Sequence, residues 1–175
     1  MKLRRPLAVY AVFSGSVFQA RAYPQVISRG PLSPALNQDF PDPSIFQDGG
    51  GRWYSYATAG GGKQVQVASA PAPGGPWTAE AANVLPNPGG WTSGRNTWAP
   101  DVQKLANDHY VMFYSGELAS DTAHHCIGTA TSRSALGPFT PNAAPLDCHV
   151  DQGGSIDPSG FYDEATETRW LVYKM

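Results

Sequence analysis

Three aspartates in this chain are spaced so that they can act together. Asp42 and Asp157 each begin an Asp-Pro-Ser sequence and Asp101 follows an Ala-Pro pair, so that the carboxylates stand 59 and 56 positions apart. Carboxyl groups that lie close together have separated pKa values, because one charge disfavours the second, and such groups supply an acid and a base. A single Asp-Pro-Ser is better interpreted as a turn whose carboxylate caps backbone N–H groups. The set of three aspartates, with Trp98 beside Asp101, instead favours a catalytic role for these carboxylates.

These aspartates lie in an internal repeat. Residues 42–56 resemble residues 157–173, and residues 101–114 are a looser copy of both. A second element repeats out of phase with the first, since residues 65–77 match residues 127–139 at a constant offset of 62 and both end in Gly-Pro and an aromatic residue. A repeat of this length indicates a fold assembled from copies of one supersecondary unit.

Within each unit the pattern is that of short β-strands. Runs rich in Val, Ile, Tyr, Trp and Thr alternate with Gly, Pro, Asn and Asp turns, and no stretch of ten residues keeps a helical period. The 175 residues include 19 Gly and 16 Pro, and only 15% are charged, which excludes a helical bundle. Three or four strands in a unit of about 57 residues predict an all-β fold of β-propeller blades. A β-sandwich with chance similarity is the alternative.

The propeller prediction has two consequences. The first strand of each blade lines the axial channel, so Asp42, Asp101 and Asp157 are expected to share one polar funnel. A propeller closes with four to eight blades, whereas the repeat provides only about two and a half here. Residues 23–175 are therefore expected to be the N-terminal part of a truncated propeller domain, with unpaired strand edges.

The first 22 residues have the pattern of a secretory signal peptide. Lys2, Arg4 and Arg5 form a positively charged start, residues 7–18 are largely apolar, and residues 20–22 read Ala-Arg-Ala, a cleavage sequence. The apolar segment is shorter than the roughly 20 residues of a membrane-spanning helix, so a membrane anchor is the weaker interpretation. We therefore expect a secreted, extracellular protein.

Charge and cysteine content agree with that compartment. The net charge of −2 includes no block of like charges, so neither nucleic acid nor an anionic membrane is an expected partner. Cys126 and Cys148 suit an oxidising compartment in which they close a disulfide, with two free thiols as the alternative.

The adjacent His124 and His125 would point to opposite faces of a strand, and no zinc-type spacing occurs, so the histidines are expected on the surface or in loops. No metal site and no cofactor are predicted.

Carboxylates and aromatic rings in a secreted protein suggest carbohydrate hydrolysis, because paired carboxyls cleave glycosidic bonds and aromatic faces stack on sugars. Three segments carry a closer likeness: Phe-Pro-Asp-Pro-Ser-Ile at 40–45, Thr-Trp-Ala-Pro-Asp-Val at 97–102 and Ser-Ile-Asp-Pro-Ser-Gly-Phe at 155–161. In order and spacing they resemble the first three signature segments of glycoside hydrolase family 43. The resemblance implies a five-bladed β-propeller that hydrolyses arabinose- or xylose-containing plant polysaccharide with inversion, as arabinanases, α-L-arabinofuranosidases and β-xylosidases do.

The resemblance also implies roles for individual residues. Asp42 would be the general base that activates water, and Asp157 would tune the pKa of the general acid and orient it. Asp101 and Trp98 would shape the sugar-binding subsite. The axial calcium or sodium ion of many relatives has its usual His ligand on a part of the fold beyond these blades.

The family's general acid is a Glu on a later blade, and it has no counterpart in this chain. The glutamates considered for that role lie in connections between strands that do not match its segment: Glu117, Glu164 and Glu167. Protonation of the leaving oxygen typically contributes 10²–10⁴-fold to the rate. We therefore expect this chain to be inactive by itself.

Two other functions compete with this interpretation. A non-catalytic carbohydrate-binding propeller would bind oligosaccharide or polysaccharide without turnover, and would need no general acid. A five-bladed, invertase-like hydrolase would use an early Asp as a nucleophile with retention, but the Trp-Ala-Pro-Asp segment at 98–101 argues against it. The sugar, its linkage and the endo or exo mode depend on loops around the funnel.

Overall fold

The computed structural model describes residues 33–175. The predicted signal peptide, residues 1–22, lies outside the described residues. The strands in chain order are β1 (Ser44–Gln47), β2 (Trp53–Ala57), β3 (Gln66–Ala70), β4 (Thr78–Ala79), β5 (Trp98–Lys104), β6 (Tyr110–Glu117), β7 (His125–Ser132), β8 (Thr140–Pro141), β9 (Ile156–Asp163) and β10 (Thr168–Lys174). A short 3₁₀ helix, Val150–Gln152, precedes β9. The described part of the chain contains no α-helix, and thus no helix that crosses a membrane.

The strands form three antiparallel sheets that follow the internal repeat. Strands β1 to β4 make a four-stranded sheet in sequential order, β5 to β8 make a second one in the same order, and β9 pairs with β10. Sequential antiparallel pairing is what short strands joined by Gly- and Pro-rich turns produce. The two four-stranded sheets are the predicted blades, and β9 with β10 forms the first half of a third. The all-β prediction is confirmed.

A hydrophobic core lies between the first two sheets. Tyr56 of β2 and Tyr114 of β6 are fully buried. The Tyr56 hydroxyl donates a hydrogen bond to the carbonyl oxygen of Ala135, and the Tyr114 hydroxyl donates one to that of Pro88, each at 2.6 Å. A buried tyrosine needs such a partner for its hydroxyl group. Apolar side chains from both sheets surround these rings, among them Val65, Val67, Leu85, Val102, Met112 and Phe139. This packing places β5 beside β1.

A disulfide joins Cys126 of β7 to Cys148 in the structure. The residue before Cys148, Asp147, forms an isolated antiparallel bridge with Ile127, the residue after Cys126. The disulfide and the bridge together tie the connection between β8 and β9 to the start of β7.

Candidate active site

The first strands of the three sheets lie side by side and line one cavity. Strand β5 contacts both β1 and β9, and an open cavity of about 1020 Å³ is lined by residues 42–47, 99–104 and 157–162. Asp42, Asp101 and Asp157 are all among the lining residues. The structure therefore brings the three carboxylates, which are far apart in sequence, to the same cavity.

The three aspartates do not occupy equivalent positions in their blades. Asp42, Ala99 and Asp157 each precede a proline, and each has a positive φ, of 52°, 41° and 58° respectively. The strand pairing of β5 shifts register at Ala99 and Pro100. The pairing of β9 shifts register at Asp157 and Pro158. Asp101 therefore corresponds to the serine of the Asp-Pro-Ser sequences. The sequence comparison was wrong to treat the three aspartates as equivalent.

The backbone at these positions is strained and is held by hydroxyl groups. A left-handed conformation is disfavoured for the residue before a proline. Strained backbone of this kind typically costs about 1–3 kcal/mol of conformational free energy per residue. The Ala99 N–H donates to Thr58 Oγ1 at 2.9 Å, and the Thr58 hydroxyl donates to Asp42 Oδ2 at 2.7 Å. In the next blade the Asp157 N–H donates to Ser115 Oγ at 3.0 Å. A hydroxyl at the end of one blade's second strand thus fixes the first strand of the next blade.

Thr58 and Ser115 were not among the residues predicted from the sequence. They lie 57 positions apart, the same separation as Asp42 and Ala99. Alignment of the repeats at an offset of 57, rather than on the aspartates, brings the two hydroxyl residues into register and is the signal that identifies them.

Asp101 bonds to the neighbouring blade. Its Oδ2 accepts the N–H of Gly160 in β9 at 2.6 Å. Burial raises the pKa of the Asp101 carboxyl, and the hydrogen bonds from Gly160 and Gln103 act in the opposite direction. The strands approach closely here, since a Cβ built on Gly160 would lie 2.4 Å from Gln103 Nε2. The predicted sugar-contacting residue therefore also joins β5 to β9.

Trp98 lies beside the cavity and is not one of its lining residues, although Ala99 is. Trp98 is 37% exposed, and its ring stacks on that of His125, with centroids 3.6 Å apart and planes 21° apart. His125 is the first residue of β7 and is only 5% exposed. The prediction of a surface or loop histidine is wrong at this position, because the indole ring covers the imidazole.

A polar network surrounds the imidazole of His125. Its Nε2 lies 2.9 Å from the carbonyl oxygen of Asn96, and because a carbonyl only accepts, Nε2 carries a proton. The Asn96 side-chain amide donates to Glu117, and the Ser93 hydroxyl donates to the same carboxylate at 2.6 Å. These two hydrogen bonds lower the pKa of Glu117, whereas burial lowers the pKa of His125. Glu117 is therefore held as an anion, which makes it unsuitable as a general acid.

The two other candidate glutamates lie at the wrong end of β9. Glu164 lines the cavity, but it lies seven positions after Asp157, which corresponds to about 23 Å along a strand. Inverting glycosidases hold their two carboxyls roughly 6.5–9.5 Å apart. Glu167 is exposed in the same turn as Glu164. None of the three glutamates considered from the sequence reaches the Asp42 and Asp157 end of the cavity.

The resemblance raised an axial calcium or sodium ion, whose usual His ligand lies beyond these blades. Among residues 33–175, no group of three or more His, Cys, Asp or Glu side chains converges. The described part of the chain therefore contains no cluster of these side chains for a metal ion.

Known proteins match this chain over most of its length. The family model for glycosyl hydrolases family 43 matches residues 31–175. The probable arabinan endo-1,5-alpha-L-arabinosidase A of Aspergillus flavus is 42% identical over 128 residues, which cover 70% of this chain and 38% of that protein. The probable arabinan endo-1,5-alpha-L-arabinosidase C of the same organism is 35% identical over 133 residues, covering 74% and 38% of the two chains. The chain thus spans 38% of the length of these curated relatives.

Solved structures agree. A thermostable family-43 glycoside hydrolase superposes with a TM-score of 0.62 at 29% identity, and the match covers 75% of this chain and 40% of that one. The endo-arabinase from Bacteroides thetaiotaomicron superposes with a TM-score of 0.60 at 21% identity, over 75% of this chain and 44% of that one. The second similarity is one of fold alone.

Proposed function

Because the chain belongs to glycosyl hydrolases family 43, we propose that it contributes the catalytic base to a glycosidase that cleaves arabinose- or xylose-containing plant polysaccharide. Its fold is part of the five-bladed β-propeller of that family, with two complete blades and the first two strands of a third. The curated relatives are arabinanases by name, so arabinan is the first substrate to test and xylan the second.

The observation that supports this function best is the matched pair Asp42 and Asp157. Both carboxylates line one cavity, both are exposed, and both residues are held in the same left-handed conformation. The hydrogen bond from Thr58 occupies one oxygen of Asp42, which leaves the other oxygen to accept a proton from water. Ala99 has the same left-handed backbone, so this conformation belongs to the start of each blade, and the exposed carboxylate is what distinguishes Asp42 and Asp157 from it.

In the proposed mechanism Asp42 removes a proton from a water molecule, and that water attacks the anomeric carbon on the face opposite the leaving sugar. Attack by water, and not by the carboxylate itself, inverts the anomeric centre. Asp157 orients a general acid and tunes its pKa, while Trp98 and Asp101 shape the sugar-binding subsite. None of the glutamates considered above is placed to supply the acid, so we propose that this chain by itself does not cleave natural glycosidic bonds.

We also propose that the protein is secreted. The signal-peptide pattern of residues 1–22 supports secretion, and the disulfide between Cys126 and Cys148 suits an oxidising compartment. The low net charge argues against nucleic acid and membrane surfaces as partners, which leaves a neutral oligosaccharide or polysaccharide.

The function is tested by comparing substrates that differ in their need for an acid. The 175-residue chain is incubated with α-1,5-linked arabino-oligosaccharides, with xylo-oligosaccharides and with 4-nitrophenyl α-L-arabinofuranoside. The nitrophenyl leaving group departs as a stable anion and needs no proton. We expect binding without cleavage for the oligosaccharides, and slow hydrolysis of the nitrophenyl glycoside that is lost in Asp42→Asn. Asp121→Asn is the matched control, since the Asp121 carboxylate pairs with His124 away from the cavity.

The outcomes separate the competing functions. Hydrolysis with inversion, seen by NMR in the first-formed arabinose anomer, supports the proposal, whereas retention supports an invertase-like enzyme. Binding with no hydrolysis of any substrate supports a non-catalytic carbohydrate-binding module. Hydrolysis that survives Asp42→Asn contradicts the role of Asp42 as the base.

A further inference from the structure

His125 connects Trp98 to the segment that carries Asp157. Its ring stacks on the indole of Trp98 at 3.6 Å between centroids, and its backbone carbonyl accepts the N–H of Ser155 at 2.8 Å, two residues before Asp157. Gly154 packs against the same backbone, where a Cβ would lie 2.7 Å from the His125 carbonyl oxygen. One residue of β7 thus contacts both the aromatic ring and the strand that lead to the cavity.

A hydrogen bond holds the imidazole of His125 in its orientation. Its Nε2–H donates to the Asn96 carbonyl oxygen, and Asn96 is in turn held by the buried carboxylate of Glu117 through its side-chain amide. Asn96 has a φ of 52°, so its carbonyl is presented by a strained backbone that these bonds support. Rotation of the imidazole would break its hydrogen bond inside a buried site, where an unpaired polar group is costly.

Trp98, in contrast, has few constraints of its own. Within the described chain its indole nitrogen makes no hydrogen bond, its only aromatic partner is His125, and it is 37% exposed. Within the described residues, the stack is thus the aromatic contact that orients the indole ring. The exposed third of Trp98 is the part that is open to a ligand.

We propose that His125 is a positioning residue, which holds the Trp98 indole in a fixed plane so that its free face receives a pentose ring. The identity of the ligand rests on the proposed function, whereas the control of the indole by His125 does not. A platform that is already ordered loses less conformational freedom when the sugar binds, so positioning should appear as affinity.

The first measurement follows the indole without any sugar. In ¹⁵N-labelled protein the Trp98 Nε1–H resonance is assigned by its loss in Trp98→Phe. His125→Ala should shift this resonance and lower its order parameter to about 0.6 or below. His125→Phe, which restores a flat ring, should recover most of the order. His124→Ala is the control, because its side chain pairs with Asp121 and should leave the indole unchanged.

The second measurement is affinity for arabinotriose and for xylotriose by calorimetry. We expect at least about a tenfold loss in His125→Ala, a loss within about threefold in His125→Phe and none in His124→Ala. If His125→Ala does not fold, His125→Leu takes its place, since leucine fills the volume without a flat ring.

The two measurements fail separately. An indole resonance with unchanged shift and order in a folded His125→Ala or His125→Leu protein overturns the inference. A mobile indole with unchanged sugar affinity also overturns it, because positioning would then have no effect on the site. A wild-type chain that binds neither trisaccharide refutes the proposed function, and the indole measurement then decides by itself whether His125 orders Trp98.

Discussion

Removal of the Asp101 carboxylate tests whether this group joins β5 to β9. In Asp101→Ala the N–H of Gly160 loses the acceptor that lies 2.6 Å away. A hydrogen bond to a charged group contributes about 1.5–3 kcal/mol, so we expect the free energy of unfolding to fall by about 2 kcal/mol. Asp101→Asn keeps a side-chain oxygen in the same place and should cost less than half as much.

The pH dependence of the free energy of unfolding in the same variants is an independent test of the Asp101 carboxyl. Burial raises the pKa of Asp101 in the folded chain, so between the unfolded and folded pKa values the folded state binds more protons. The stability that this carboxyl contributes is complete below its unfolded pKa of about 3.9 and is lost as the pH rises through its folded pKa. The free energy of unfolding of the wild type should therefore fall through this group as the pH rises from the acid end of the range, and that component of the slope should be absent from Asp101→Asn and Asp101→Ala, which have no carboxyl to titrate.

Urea unfolding, followed by circular dichroism at several pH values, measures both effects. Asp39→Ala is the control, because Asp39 is exposed and precedes the first strand. A loss in Asp101→Ala no larger than the control, within about 0.5 kcal/mol, would refute the assignment of an inter-blade bond. Equal losses in Asp101→Asn and Asp101→Ala would show that charge matters there and that acceptor geometry does not.

Three further predictions concern other parts of the fold. Replacement of Cys126 and Cys148 by serine should lower the free energy of unfolding by about 3 kcal/mol, because the disulfide closes a loop between residues 22 positions apart; urea unfolding that shows no loss contradicts this. Gly128→Ala should cost about 1–3 kcal/mol in the same assay, since the added Cβ would lie 2.4 Å from the buried ring of Tyr114, and a neutral result would show that the ring moves freely. Burial lowers the pKa of His125, so the unfolded chain binds a proton before the folded one does. The free energy of unfolding should therefore fall as the pH drops below about 6.5. Urea unfolding midpoints across this range should show that this part of the pH dependence is absent from His125→Phe.

Much of the blade architecture could be predicted from the sequence. Short β-branched and aromatic runs between Gly- and Pro-rich turns have one compact solution, the antiparallel meander, and the repeat then indicates how many meanders there are. The predicted blades correspond to β1–β4 and β5–β8, and the opening pair of a third to β9 and β10. The segments that line the cavity were also identified, because each places an aspartate at or near the start of a first strand.

The errors arose where residue type does not report backbone position. Asp101 resembles Asp42 in the sequence, yet the residue with the conformation of Asp42 is Ala99. The register shift of β5 lies between Trp98 and Asp101, and such a shift is a property of strand pairing that residue type does not indicate. His125 was expected on the surface or in a loop, because it adjoins His124 and no zinc-type spacing occurs. Its burial depends on Trp98, which lies on another strand 27 positions earlier.

The sequence by itself determined the strand content, the repeat, the cysteine pair and the carboxylates available for chemistry, because these follow from local residue types and their spacing. Only the tertiary structure decided which groups touch. Across the boundaries between blades, Thr58 contacts Ala99, Ser115 contacts Asp157 and Asp101 contacts Gly160, and within its own blade Thr58 contacts Asp42. Such contacts join residues up to 59 positions apart, and they exist because packing of the core sets one first strand beside the next, a relation that no local pattern encodes.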